Sequence, residues 1–128
     1  MPGDTRPRRS VSPEWRTAQL EKGRAAFNRG DYFRAHELWE ELWHELAGVE
    51  RTNVQGLIQV AAGLHHLQQR RPRPAASLLR KGLEKLEGRT PGSTGQLGIG
   101  PLVRQVKRLL AELAAPGSSP PAGRAFRL

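Results

Sequence analysis

The segment HELWEELWH, residues 36–44, carries the densest chemistry in the chain. A helix advancing about 100° per residue gathers Leu38, Leu42, Leu46, Trp39 and Trp43 into one apolar stripe. His36 then falls on the edge of that stripe beside Trp43, with Glu40 one turn along, while Glu37, Glu41 and His44 lie farther toward solvent. A histidine and a carboxylate at i and i+4 converge on one point, so His36 and Glu40 can share a proton or provide two ligands to a divalent cation. A zinc peptidase requires histidines at both of those positions with a glutamate between. Position 40 is Glu, and the peptidase motif fails.

A second polar stripe follows at residues 54–67, VQGLIQVAAGLHHL. Gln55, Gln59 and His66 recur at +4 and +7 and share one narrow face of an otherwise apolar helix. His65 falls instead near Val54, Ile58 and Ala61, where a core histidine is expected. A half-buried amide or imidazole needs hydrogen-bond partners, because leaving one unsatisfied costs roughly 1–3 kcal/mol. If this stripe faces the His36/Glu40 edge, then His36, Glu40, Gln59 and His66 converge, with Glu37 and Gln55 at the margin and Trp39 and Trp43 in support. Such a cluster admits three readings: a network that only fixes helix packing, a metal or acid/base site with His36, Glu40 and His66 as candidate ligands, or a pocket for a ligand or partner.

The elements that must position these groups are all helical. Ser12-Pro13-Glu14 is a helix start, with proline in the first turn and an acid at the positive helix end. The spacing predicts a first helix to about Arg29, stopped by Gly30. Asp31 is a good N-cap for a second helix ending near Gly48. A third, from about Glu50 to Arg70, is apolar over more than half its circumference and should be the central, most buried one. Pro72-Arg73-Pro74 opens a fourth helix to about Gly88, and Pro101 a fifth to about Ala115. The expected fold is all-α, a compact array of about five helices. A shift of 40 residues superposes Leu20 on Val60, Phe27 on Leu67, Leu38 on Leu78, Trp39 on Leu79 and Leu46 on Leu86. Apolar positions meet apolar positions, so two helical hairpins are expected. AAFNRGDYFRAHELWEEL also looks like half of a tetratricopeptide unit.

These residues carry a resemblance. FNRGDYFRAHELWEELW followed by NVQGLIQVAAGLHHLQ resembles the uncharacterised bacterial and archaeal family called domain of unknown function 309, over roughly residues 20–90, and GIGPLVRQVKRLL echoes its last helix. The resemblance implies an all-helical domain in which the family's His-Glu pair falls on His36 and Glu37, its next acid on Glu40, its Trp on Trp43, its Gln-Gly-Leu-Ile-Gln on Gln55–Gln59, and its third-helix histidine on His66. Arg34 stands where the family usually has Glu, and RRPRPAA replaces its Gly-Asn-x-x-Gly-Ala turn. The resemblance brings no established activity.

Composition bounds the rest. The 128 residues suit a single domain, expected over residues 13–115, with Pro-, Gly- and Ser-rich ends at 1–12 and 116–128 that read as disordered tails. Lys and Arg number 21 against 12 Asp and Glu, for a net charge of +9. The charge is segregated: residues 31–47 carry net −4 and residues 70–89 net +5. With no cysteine there are no disulfides, thiolate nucleophiles or Cys-type metal sites. No apolar run reaches the roughly 18 residues of a membrane span and no signal peptide is recognisable, so a cytoplasmic protein without a membrane partner is expected. The Gly-rich segment PGSTGQLGIGP lacks both the Lys-Ser/Thr of a phosphate loop and the third glycine of a dinucleotide fold, and reads as a linker. The basic segment has no interleaved aromatic residue, which points to weak, nonspecific nucleic-acid contact at most. The leading expectation is an interaction or ligand-binding module whose partner is a protein, a small molecule or a second copy of the chain. The alternatives are a hydrolase-like, metal-dependent or acid/base enzyme using the His36/Glu40/His66 cluster, and a nonspecific RNA-binding protein.

Overall fold

A computed structural model describes residues 12–87, 99–115, 126 and 128. Five helices follow in order: α1 Pro13–Asn28, α2 Tyr32–Trp43, α3 Gly48–Gln68, α4 Pro72–Leu86 and α5 Ile99–Ala114. The expected residues set most of the ends. The Ser12 hydroxyl accepts the Trp15 amide at 3.1 Å, with Pro13 at the first position of α1. Asp31 accepts the Arg34 amide at 3.2 Å and caps α2. The second helix stops at Trp43, short of the expected Gly48, because the Glu45 and Leu46 amides turn back to the Leu42 and Trp43 carbonyls. That tighter turn buries Leu46 and lets α3 start at Gly48, two residues early.

Central α3 packs against both α2 and α4, while α1 lies on α2 and α5 on α4. Its Val54, Leu57, Val60 and Ala61 are wholly buried. Trp39 joins α1 to α2. Its indole is fully buried, its N–H donates to the Leu20 carbonyl at 3.1 Å, and its ring lies 5.8 Å from that of Phe27. Roughly 200 Å² of side chain withdrawn from water at about 25 cal/mol per Å² contributes about 5 kcal/mol. The ring fits because residue 23 is glycine: a Cβ there would stand 2.1 Å from the indole nitrogen.

The 40-residue shift is a structural repeat. Gly23 against Trp39 in the first hairpin becomes Gly63 against Leu79 in the second, where a Cβ on Gly63 would meet Leu79 Cγ at 2.9 Å. The turns correspond bond for bond. Gly30 and Asp31 donate to the Phe27 and Ala26 carbonyls, and Arg70 and Arg71 to those of Leu67 and His66, each at 2.9 Å. Both turns pass through the left-handed region, at Gly30 (φ 82°) and Arg70 (φ 60°).

The described residues hold no helix long and apolar enough to cross a membrane. The expected tails and the Gly-rich linker lie largely outside them, but the expected loose C-terminal end needs correction at two positions. Phe126 is buried and its amide donates to the Tyr32 hydroxyl at 3.2 Å. The Leu128 amide donates to Asn28 Oδ1 at 2.8 Å, and its carbonyl accepts from Arg24 and Asn28. An aromatic ring and two backbone amides find partners on α1 and α2, which outweighs the Pro/Gly/Ser character around them. Burial lifts the Tyr32 phenol above its usual pKa, against the opposing pull of the Phe126 amide.

Two outcomes follow for urea denaturation. Gly23→Ala should lower stability by about 1–3 kcal/mol through overpacking against Trp39, with the helical spectrum kept. Phe126→Ala should lose about 2–3 kcal/mol, the value of one buried aromatic ring; an unchanged midpoint would mean that the C-terminal contacts contribute nothing.

Candidate functional site

The polar groups of interest lie on α2 and along α3. The contacts of α3 fix its orientation: Gly56, Val60 and Gly63 meet α4, where a Cβ on Gly56 would stand 2.9 Å from Leu86 Cγ and one on Gly82 2.8 Å from Val60 Cγ2. The wholly buried Leu57 and Ala61 lie about 60–140° around from that contact. Gln55, Gln59, Ala62 and His66 occupy the remaining arc, and all four are half-buried. They form a band along the outer side of the central helix, between the flanks where α2 and α4 attach.

Hydrogen bonding along this band is incomplete. Gln59 Oε1 and His66 Nδ1 are both inaccessible to water and have no hydrogen-bond partner among the described residues, and His36 Nδ1 on α2 is in the same condition. The other ring nitrogen of His36 lies 3.4 Å from Glu40 Oε2, an ion pair when the imidazole is protonated. Glu40 is largely exposed. Glu37 points outward to Arg34 at 3.4 Å, the residue that stands where the resembled family usually has Glu.

The expected supports divide between two roles. Trp39 belongs to the core and holds α2 in place. Trp43 is half-buried, with its ring under the Arg51 guanidinium at 3.9 Å. Its indole nitrogen is buried without a hydrogen-bond partner among the described residues.

Two expectations are corrected. His36, Glu40 and His66 do not assemble into a metal-holding set, and no group of three His, Asp or Glu does so among the described residues. The i, i+4 pair forms, but His66 lies on the outward arc of α3 and donors from both helices do not reach a common point. His65, expected in the core, is half-buried against a residue that sequence periodicity did not single out. Its ring is 5.2 Å from that of Phe33, which is 50% exposed and lies 5.9 Å from His36. Aromatic and histidine side chains three residues apart on a helix, Phe33 and His36, were the available signal.

Burial pushes the His65 pKa below its usual value, and His66, His36 and Arg71 push the same way, with Asp31 opposing. Asn53 is a further buried polar residue whose Oδ1 has no partner among the described residues. Two cavities lie elsewhere. One of about 160 Å³ is lined by Arg16, Leu20, Leu42, Leu46 and Glu50; the other, open and about 470 Å³, lies between α4 and α5.

Fold and site together define an all-α, two-hairpin domain with an under-satisfied polar band on its central helix. Residues 20–78 match the model of the family described as domain of unknown function (DUF309). The match contains every residue of the band and ends within α4. An uncharacterized protein of Aquifex aeolicus (strain VF5) is 34% identical over 65 residues, covering 50% of this chain and 20% of that protein. The chain thus spans about a fifth of that relative's length. No solved structure gives a significant match.

The depressed His65 pKa sets a pH dependence. The unfolded chain binds the proton at a higher pH than the folded one, so stability rises as pH increases through the window between the lowered folded value and 6.5. Thermal melts from pH 7 toward pH 5 should fall, and His65→Gln should flatten that part of the curve. An unchanged slope in the variant would place the titrating group elsewhere.

Proposed function

We propose that the protein is a binding module whose working surface is the band of Gln55, Gln59 and His66 on α3, together with His36 on the adjoining helix α2. The observation that carries this reading is the set of three buried, unpartnered polar atoms, His36 Nδ1, Gln59 Oε1 and His66 Nδ1. A purely structural network would satisfy its own donors and acceptors, because each orphaned group costs roughly 1–3 kcal/mol. These atoms are closed to water in the free protein, so a ligand or partner satisfies them as the half-buried His36, Gln59 and His66 side chains turn outward to meet it. The occupant is a polar group presenting both donors and acceptors: an amide or imidazole answers either kind, and a neutral histidine is itself donor and acceptor. An acid/base role for His36 would rest on its pairing with Glu40, and Glu40→Gln separates the two uses, since binding through Nδ1 survives that change.

The reading has a stability signature. Gln59→Leu and His66→Leu remove orphaned atoms while keeping apolar contacts, so neither should lower the melting temperature and their combination should raise it. Titration of isotope-labelled protein with small-molecule and macromolecular cell fractions should shift the Gln59 side-chain amide and the His36 and His66 ring signals with one fraction. The double variant should lose that response. A destabilised double variant, or shifts confined to other faces, would show the band to be structural.

A further inference from the structure

The repeat allows each turn to be read against its counterpart. The first hairpin turns on Gly30 and Asp31, the second on Arg70 and Arg71, with the same backbone hydrogen bonds. Glycine enters the left-handed region without strain and aspartate caps the following helix; arginine does neither. Arg70 is nevertheless held at φ 60°, and α4 starts without a side-chain cap. Residues that break a local rule with no gain to the fold mark a functional position.

The tertiary structure brings Arg71 near the half-buried His65 ring, which lies against the exposed ring of Phe33. Gln68 Nε2 donates to the Gly30 carbonyl at 2.9 Å, so the two turns lie at the same end of the molecule. There Phe33 presents an exposed ring, stacked on His36 at an interplanar angle of 23° and tilted against His65. The Arg71 amide is bonded to the His66 carbonyl, and Arg71 bears on the charge of the His65 ring. Of the acids on this side, Glu37 pairs with the Arg34 guanidinium and Glu40 with His36, while Asp31 caps α2 through the Arg34 amide and keeps its charge. Along exposed α4 the cations continue through Arg73, Arg80 and Lys81.

We propose that this end of the molecule binds single-stranded nucleic acid, a base stacking on Phe33 and His65 while the flanking phosphates engage Arg70 and Arg71. The aromatic residue missing from the basic segment in sequence is supplied by α2. Aromatic faces accept any base, and guanidinium groups beside them hold the backbone, so affinity is sequence-tolerant and salt-dependent. An acidic protein would use the cations and leave the exposed ring without purpose. A free mononucleotide would make one stack and leave the α4 cations unused. The site adjoins the band, since Phe33 stacks on His36 and His65 precedes His66, but it uses neither Gln59 nor His66.

The test is fluorescence anisotropy with a labelled oligouridylate, its duplex with oligoadenylate, AMP as competitor and a polyglutamate of equal charge. The single strand should bind best. Phe33→Ala should weaken it by about tenfold, the scale of one lost base stack, and Phe33→Trp should restore it. Arg70→Gly relaxes the turn, so it should keep or raise the melting temperature while lowering both affinity and the slope of affinity against salt. Gln59→Leu should bind as the wild type does. An unchanged affinity in Phe33→Ala, equal binding of duplex or polyglutamate, or competition by AMP as strong as that of the oligonucleotide would each overturn the proposal.

Discussion

The seating of Trp39 against Gly23 governs the placement of α2. A buried indole needs both a cavity of its own shape and an acceptor for its N–H, and the glycine provides the first while the Leu20 carbonyl provides the second. Gln19, buried on the same helix, donates to the Leu38 carbonyl and to Glu41, which fixes how α2 sits along α1. With that face of α2 fixed to α1, the adjoining edge, bearing His36 and Glu40 with Phe33 beside them, is presented next to α3. The site is therefore positioned by the core packing of its own helix.

The second hairpin solves the same packing problem with smaller parts. Leu79 lies against Gly63 as Trp39 lies against Gly23, and Gly56 and Gly82 let α3 and α4 approach almost backbone to backbone. Close approach lets α3 touch both hairpins, which makes it the central helix. The two hairpins keep opposite charge, with acids along α2 and bases along α4, so the repeat conserves shape while its surfaces diverge.

Two kinds of surface meet across α2 and α3. The band of Gln55, Gln59 and His66 is polar and half-buried, in a setting where an unpaired atom is costly because water is excluded. The turn end is exposed, cationic and aromatic, where long-range charge and ring stacking operate in water. His65 stands between them, touching Phe33 on one side and preceding His66 on the other. Its lowered pKa reflects that position, with partial burial and neighbouring positive or protonatable groups acting together.

Local chemistry was enough to read the five helices, the side-chain caps of α1 and α2 and the apolar stripe of each helix, because helix periodicity and capping depend on residues within four positions of one another. The polar stripe of Gln55, Gln59 and His66 was legible for the same reason. What meets a stripe across an interface is a long-range property. His65 was placed at its right angle on α3, but Phe33 reaches it only through the α2/α3 crossing, so a core histidine became an edge one. The i, i+4 pairing of His36 and Glu40 was local and formed; the third metal ligand had to come from another helix and did not arrive. Phe126 sits in a segment whose composition predicts a loose end, yet Tyr32 and Asn28 hold the residues there from a hundred positions away. By itself the sequence determined the helices and their faces, since those follow from neighbouring residues. Only the tertiary structure decided which polar atoms are left without partners and which rings lie beside which cations, since those depend on where separate helices come to rest.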